Sequence, residues 1–149
     1  MLQAARFRDA SRHAEPDIGP MTQTKAQALG ALGERIAERW LVRDGWRVVD
    51  RRFRSGRRDL DLVAIRDDVV AFVEVKTRRS TWSGEPVEAV NWRKQRELTR
   101  SAQTWIDQRG TVIAPTAANY RFDVVGIVAS RERVAIRHVA GAFPAFQAQ

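Results

Sequence analysis

Apolar and polar residues follow two different periods along this chain, and the switches between them mark out seven elements. From Thr24 to Arg43, Leu29, Leu32, Ile36 and Trp40 recur on one helical face, predicting an amphipathic helix that Gly45 stops. Trp46–Arg54 (WRVVDRRFR) changes to a strand pattern and ends in a turn at Ser55–Gly56. Asp59–Arg66 (DLDLVAIR) and Val69–Thr77 are two further strands around a tight turn at Asp67–Asp68, where aspartate tolerates left-handed backbone. Arg79–Val87 holds Gly84 and Pro86 and reads as a loop. Asn91 is the N-cap of a second helix running to about Arg109, with Gly110 ending it and Leu98, Ala102, Trp105 and Ile106 facing a sheet. After a loop at Thr111–Asn119, Tyr120–Ala129 and Arg133–Val139 form a last hairpin around Ser130–Glu132. The order α-β-β-β-α-β-β, without repeats or linkers, predicts an α/β protein with a single mixed β-sheet flanked by helices.

Inside the third strand, VVAFVEVKTR (Val69–Arg78), the apolar run is broken by Glu74 and Lys76. Residues i and i+2 of a strand share a face, so both charges leave a largely buried element together. Such residues are almost never fully buried unless paired or coordinating something. With Asp67–Asp68 as a two-residue loop, the hairpin register sets Arg66 opposite Val69, Val63 opposite Phe72, Asp61 opposite Glu74 and Asp59 opposite Lys76. Opposed residues have Cβ atoms about 4.5–5.5 Å apart, so Asp61 and Glu74 repel unless a cation lies between them. Mg²⁺ suits such a pair, taking one or two carboxylates together with waters and phosphate oxygens. Lys76 then orients or deprotonates an attacking water, or neutralises phosphate charge. The competing reading is a set of ordinary ion pairs at the end of a sheet. A slip of one residue would turn Asp61 to the opposite face.

Glu34 lies on the flank of the first helix's apolar stripe, beside Gly30 and Ala37. It supplies a further carboxylate or is a solvated helix glutamate like Glu38. Gly30 and Gly33 each cost about 1 kcal/mol of helix stability relative to alanine, which a close approach to the sheet or a ligand would explain.

Composition narrows the function classes. Of 149 residues, 26 are basic and 18 acidic, a net charge of +8, and only Lys25, Lys76 and Lys94 of the cations are lysines. Arginine forks suit bidentate phosphate contact, favouring a nucleic-acid partner, although coding bias produces the same richness. The absence of cysteine excludes disulfides and thiol chemistry, and His13 and His138 alone do not suggest a histidine-centred site. No apolar run approaches the roughly 20 residues that span a bilayer, and the first 20 residues lack a signal-peptide core. The expectation is a soluble cytoplasmic protein with no membrane partner: a flexible extension over residues 1–22, with Met21 an alternative start, and one domain over 23–146.

GERIAERWL (Gly33–Leu41), DLDLVA (Asp59–Ala64), FVEVKTR (Phe72–Arg78), GEPVEAV (Gly84–Val90) and RFDVVGI (Arg121–Ile127) occur in that order. Together they resemble the PD-(D/E)XK, or restriction-endonuclease-like, nuclease superfamily, and more closely its small YraN-like family, from about Gln27 to Phe143. The resemblance implies a restriction-endonuclease-like fold, with Asp61 as first metal-binding carboxylate, Glu74 as second and Lys76 as the motif lysine. Glu34 matches the helix-one glutamate that many members, including junction resolvases, use as an additional metal-site group. Two departures from the pattern stand out. Leu60 stands where the motif has proline, and Arg58–Asp59 where relatives usually read Gly-Glu.

Arg78, Arg79, Arg93, Lys94 and Arg96 follow the motif or open the second helix, and either contact phosphates or form a solvated basic face. Gln95 is a further candidate for supporting the site. Trp82 is placed to stack on a base, whereas Trp92 and Trp105 are assigned to packing. Arg121 and Asp123 are expected to pair with each other, and His138 to be a satisfied sheet residue. The resulting expectation is a Mg²⁺- or Mn²⁺-dependent endonuclease acting on DNA, with branched or single-stranded DNA as its substrate. The alternative is a nucleic-acid-binding protein that keeps the nuclease fold without cleaving; a third, weaker reading is a basic docking face for an acidic protein or ribosomal RNA. A junction enzyme would favour a homodimer by symmetry, though the sequence marks no dimer face.

Overall fold

The computed structural model describes residues 23–80 and 84–144, so the expected extension over residues 1–22 lies outside them. Thr24 opens the first helix, α1 (Lys25–Arg43), with a capping box. Its hydroxyl accepts the Gln27 N–H at 3.0 Å, and the Gln27 side-chain oxygen accepts the Thr24 N–H at 2.9 Å. Five strands follow: β1 (Arg47–Phe53), β2 (Leu60–Arg66), β3 (Val69–Arg78), β4 (Asn119–Ala129) and β5 (Val134–Phe143). They form one sheet in the order β1-β2-β3-β4-β5, antiparallel except for the parallel β3–β4 pair. A parallel pair requires a long crossover, which α2 (Trp92–Trp105) supplies, opened by the Asn91 side chain accepting the Lys94 N–H at 2.9 Å. The order α-β-β-β-α-β-β is the one expected from the sequence. Asp67, in the β2–β3 turn, has φ of 55°, the left-handed geometry that such a turn requires.

Alternation along the strands sends side chains into two cores. Toward α2, Val63, Val70, Phe72, Phe122 and Val124 pack under Leu98, Ala102 and Trp105, with Phe72 edge-on to Trp105 at 5.7 Å. Toward α1, Leu62, Ala64, Ala71, Val73, Val125 and Ile127 pack under Ala37 and Leu41. Strands covered on both faces must be nearly continuously apolar, and β3 before Glu74 is.

Three expectations about the elements need correction. The buried line of α1 is Gly33–Ala37–Leu41, while Leu32 and Trp40 are 38% and 37% exposed. The reason is close approach: a Cβ on Gly33 would lie 1.8 Å from Thr77 Oγ1 on β3, so the helix docks through its smallest residues. Gly30 has open space around it and takes no part in that contact. Second, Gly110 does not end the second helix. It keeps right-handed helical angles, and the chain continues through a π turn (Ile106–Gly110) and a short turn (Thr111–Ile113) that brings Ile113 onto the core. Third, β5 extends to Phe143, whose ring stacks on Phe122 at 4.7 Å. Among the described residues no helix is long and apolar enough to cross a membrane.

Candidate functional site

The β2–β3 ladder runs from Arg66↔Val69 to Leu62↔Val73, with Val63 opposite Phe72 as read from the sequence. It stops there. The expected backbone opposition of Asp61 to Glu74 and of Asp59 to Lys76 is not part of the ladder, and Asp59 precedes β2 altogether. Where the strands part, the Asp61 carboxylate oxygen Oδ2 accepts the Val75 N–H at 2.9 Å, a side chain replacing a strand carbonyl. Past the fork β3 changes from buried, through Glu74, to half-buried from Val75 to Thr77.

Asp61 and Glu74 still meet across the fork. Burial first, then the neighbouring Glu74 carboxylate, raise the Asp61 pKa to about 8; the Val75 N–H opposes the shift, and the charge of Glu34 adds to it. Glu74 is 7% exposed, and its two oxygens differ: Oε2 forms an ion pair with Lys76 Nζ at 3.0 Å, while Oε1 is buried without a hydrogen-bond partner. An orphaned buried carboxylate oxygen is costly, and beside a second carboxyl it marks a place where a proton or a cation belongs. Lys76 is therefore a same-strand partner of Glu74.

Glu34 reaches this neighbourhood because Gly33, one residue before it, seats α1 on Thr77, one residue after Lys76. Its carboxylate is held by Arg52 Nε at 2.9 Å. Sequence reasoning missed Arg52. It lies on β1 between Arg51, paired with Leu62, and Phe53, paired with Leu60, which sets it level with Asp61. Its φ of 48° is unusual for a non-glycine residue, and the fields of Asp61 and Asp59 act on it as well as that of Glu34. Among the described residues, no three acidic, histidine or cysteine side chains converge in a geometry that could hold a metal ion.

Basic groups gather on the α2 side of the fork. The Lys94 ammonium donates to the Ala89 carbonyl at 3.3 Å, and its pKa is lowered chiefly by the charge of Lys76, so the two lysines share one neighbourhood. Arg58 bonds Glu97 on α2 through Nη2 at 2.7 Å. Ser101 Oγ, donating to the Ser55 carbonyl at 3.1 Å, also ties the β1–β2 loop to α2. The Arg78 guanidinium donates to the Thr77 carbonyl at 3.1 Å, and Arg79 and Arg93 are exposed. Gln95 is directed elsewhere: its amide donates to the Val90 carbonyl at 3.0 Å, holding the 3₁₀ turn Pro86–Ala89 against the helix start.

Trp105 is fully buried, as expected, but Trp92 is not packing: it is 69% exposed, with the Arg96 guanidinium 4.6 Å from its ring centroid. Trp82 lies outside the described residues. Arg121 and Asp123 pair as expected, at 2.9 and 3.1 Å. The buried Asp123 also accepts from the Gly141 N–H at 3.0 Å and meets His138 Nε2 at 2.8 Å. Burial would raise its pKa, but His138, Arg121 and Gly141 together hold it below the ordinary carboxylate value.

Comparison with known proteins follows the same residues. The family described as "Uncharacterised protein family UPF0102" matches residues 33–127, which include α1 from Gly33, Asp61, Glu74, Lys76 and α2. A UPF0102 protein of Alkaliphilus metalliredigens is 38% identical over 118 residues, covering 79% of this chain and 99% of that one. One from Chloroherpeton thalassium is 42% identical over 101 residues, 68% of this chain and 75% of its own. One from Myxococcus xanthus is 40% identical over 119 residues, 78% and 89% of the two chains. With most of its length matched, this chain belongs to the uncharacterised protein family UPF0102.

Proposed function

We propose that this protein is a metal-dependent nuclease hydrolysing phosphodiester bonds in DNA at the Asp61–Glu74 pair. The supporting observation is the fork between β2 and β3, where Asp61, with a pKa near 8, faces Glu74, whose Oε1 is buried and unpartnered. A divalent oxygen-seeking cation fits that donor set, because Mg²⁺ commonly takes only one or two protein carboxylates and completes its shell with water and phosphate. Asp61 and Glu74 would hold it, and Glu34 would join them on leaving Arg52. When bound, Mg²⁺ or Mn²⁺ supplies Lewis-acid stabilisation of the phosphate and a water acidic enough to attack.

The chain's own residues account for the rest. Asp61 gives up its proton to become a ligand, so occupancy rises with pH. Lys76, held by Glu74, keeps an ammonium at the fork to orient the attacking water or to neutralise charge developing on the phosphate. Lys94 and Arg78 lie on the same side and contact flanking phosphates, which positions the strand without reading its bases.

Supercoiled plasmid and a branched four-way DNA, incubated with the purified protein in Mg²⁺ or Mn²⁺, should be cut. EDTA should stop the reaction, and Glu74→Ala should slow it by about 100-fold or more. A second reading is favoured by the Glu34–Arg52 contact, which leaves only two carboxyls at the fork: a protein that binds DNA without cutting it. Wild-type protein that binds but never cuts in either metal, with binding intact in Glu74→Ala, would establish that reading instead.

A further inference from the structure

Trp92 opens α2 with most of its surface in water, in a chain where the other described tryptophans, Trp40, Trp46 and Trp105, are far better covered. Burying an indole is strongly favourable, so leaving one at 69% exposure on a helix is a cost to the free protein. Arg96, one turn on, lays its guanidinium over the ring at 4.6 Å. A guanidinium can cover only one face of an indole, and with Arg96 in place Trp92 is still 69% exposed. Around this pair the same helix start carries Arg93 and Lys94, and Lys94 shares the neighbourhood of Lys76 at the fork.

We propose that Trp92 and Arg96 form a stacking platform for one base of an unpaired DNA strand. The indole's free face takes the base, and Arg96 and Arg93 take the adjoining phosphates. The occupant follows from the chemistry: an exposed aromatic plane flanked by cations matches a flat base attached to anionic phosphates. Bases in a duplex stack on one another and offer no free face, so the platform selects a strand that is single or frayed. The inference deepens the proposed nuclease function by naming its substrate class, and rests on that reading only in assuming that DNA is the ligand.

The test is binding without cleavage. The full chain in EDTA is titrated into fluorescently labelled oligo-dT and into a blunt duplex of equal length. Trp92→Ala should weaken oligo-dT binding by about 5- to 150-fold, the equivalent of the roughly 1–3 kcal/mol that a stacked base contributes. Trp92→Phe should stay within about threefold of wild type, and duplex affinity should hardly move. Because the side chain is exposed, the melting temperature should not change, so lost binding cannot be ascribed to lost fold. Equal losses on single strand and duplex, or unchanged oligo-dT binding in Trp92→Ala, would overturn the platform. Trp92-dependent oligo-dT binding by a protein that cuts nothing in Mn²⁺ would support the platform while removing the nuclease reading. Cutting by a wild type whose oligo-dT binding ignores Trp92 would do the reverse.

Discussion

Asp61 carries two constraints at once, a backbone bond and a buried carboxyl neighbour. One oxygen accepts the Val75 N–H just past the end of the β2–β3 ladder, while the carboxyl as a whole sits against Glu74 with a pKa near 8. The folded carboxyl thus keeps its proton to higher pH than the unfolded one, whose pKa is near 3.8. Its contribution to stability is complete below about pH 4 and is lost as pH rises toward 8. Thermal unfolding in EDTA should therefore show Asp61→Asn gaining on wild type across that window, reaching roughly 1–3 kcal/mol at alkaline pH. A gap between the two proteins that does not change with pH would refute this account of Asp61. Asp123 behaves in the opposite sense. Its depressed pKa gives stability above the unfolded value that is lost as pH falls through the folded one. Removing its carboxylate with Asp123→Ala leaves Arg121 and His138 without their buried partner and should cost roughly 3–5 kcal/mol in denaturant titration.

At the scale of elements, the placement of the site depends on how α1 meets the sheet. The two glycines of that helix give a paired prediction. Gly33→Ala drives a methyl into Thr77, whose Cβ as well as Oγ1 lies within 2.9 Å of the new atom, so rotating the threonine does not relieve it. The variant should lose about 1–3 kcal/mol. Gly30→Ala meets nothing and should gain up to about 1 kcal/mol from helix propensity. Equal effects at both sites would show that close docking does not position Glu34. The same pair indicates what the sequence could reveal. Element order was legible, because alternation, the Asp67–Asp68 turn and the Thr24 and Asn91 caps are local signals. The face of α1 was not, since the large residues Leu32 and Trp40 dominate the pattern while contact is made through Gly33 and Ala37. Asp61, Glu74 and Lys76 were legible as neighbours from a strand period and a hairpin register. The parting of the strands at Leu62, the left-handed Arg52 that holds Glu34 and the exposure of Trp92 depend on tertiary contacts that no local pattern carries.

For the whole molecule, apolar cores lie on both faces of the sheet, and the fork opens beside β3, which is buried from Val70 to Glu74. The net charge of +8 favours approach of a polyanion, while Lys94 and Lys76 bring charge to the fork itself. DNA affinity should fall linearly with the logarithm of salt concentration, and Lys94→Ala should lower the magnitude of that slope by about 1 if its ammonium meets a phosphate. An unchanged slope would take Lys94 out of the interface. The central claim is that Asp61 and Glu74 together hold a divalent metal ion. Anomalous diffraction from crystals soaked in Mn²⁺ above about pH 8, where Asp61 has lost its proton, tests it most directly. The account predicts a Mn²⁺ peak within coordination distance of both carboxylates, absent in Glu74→Ala. Wild-type crystals with no peak at the fork, and Glu74 still held by Lys76 alone, would contradict it.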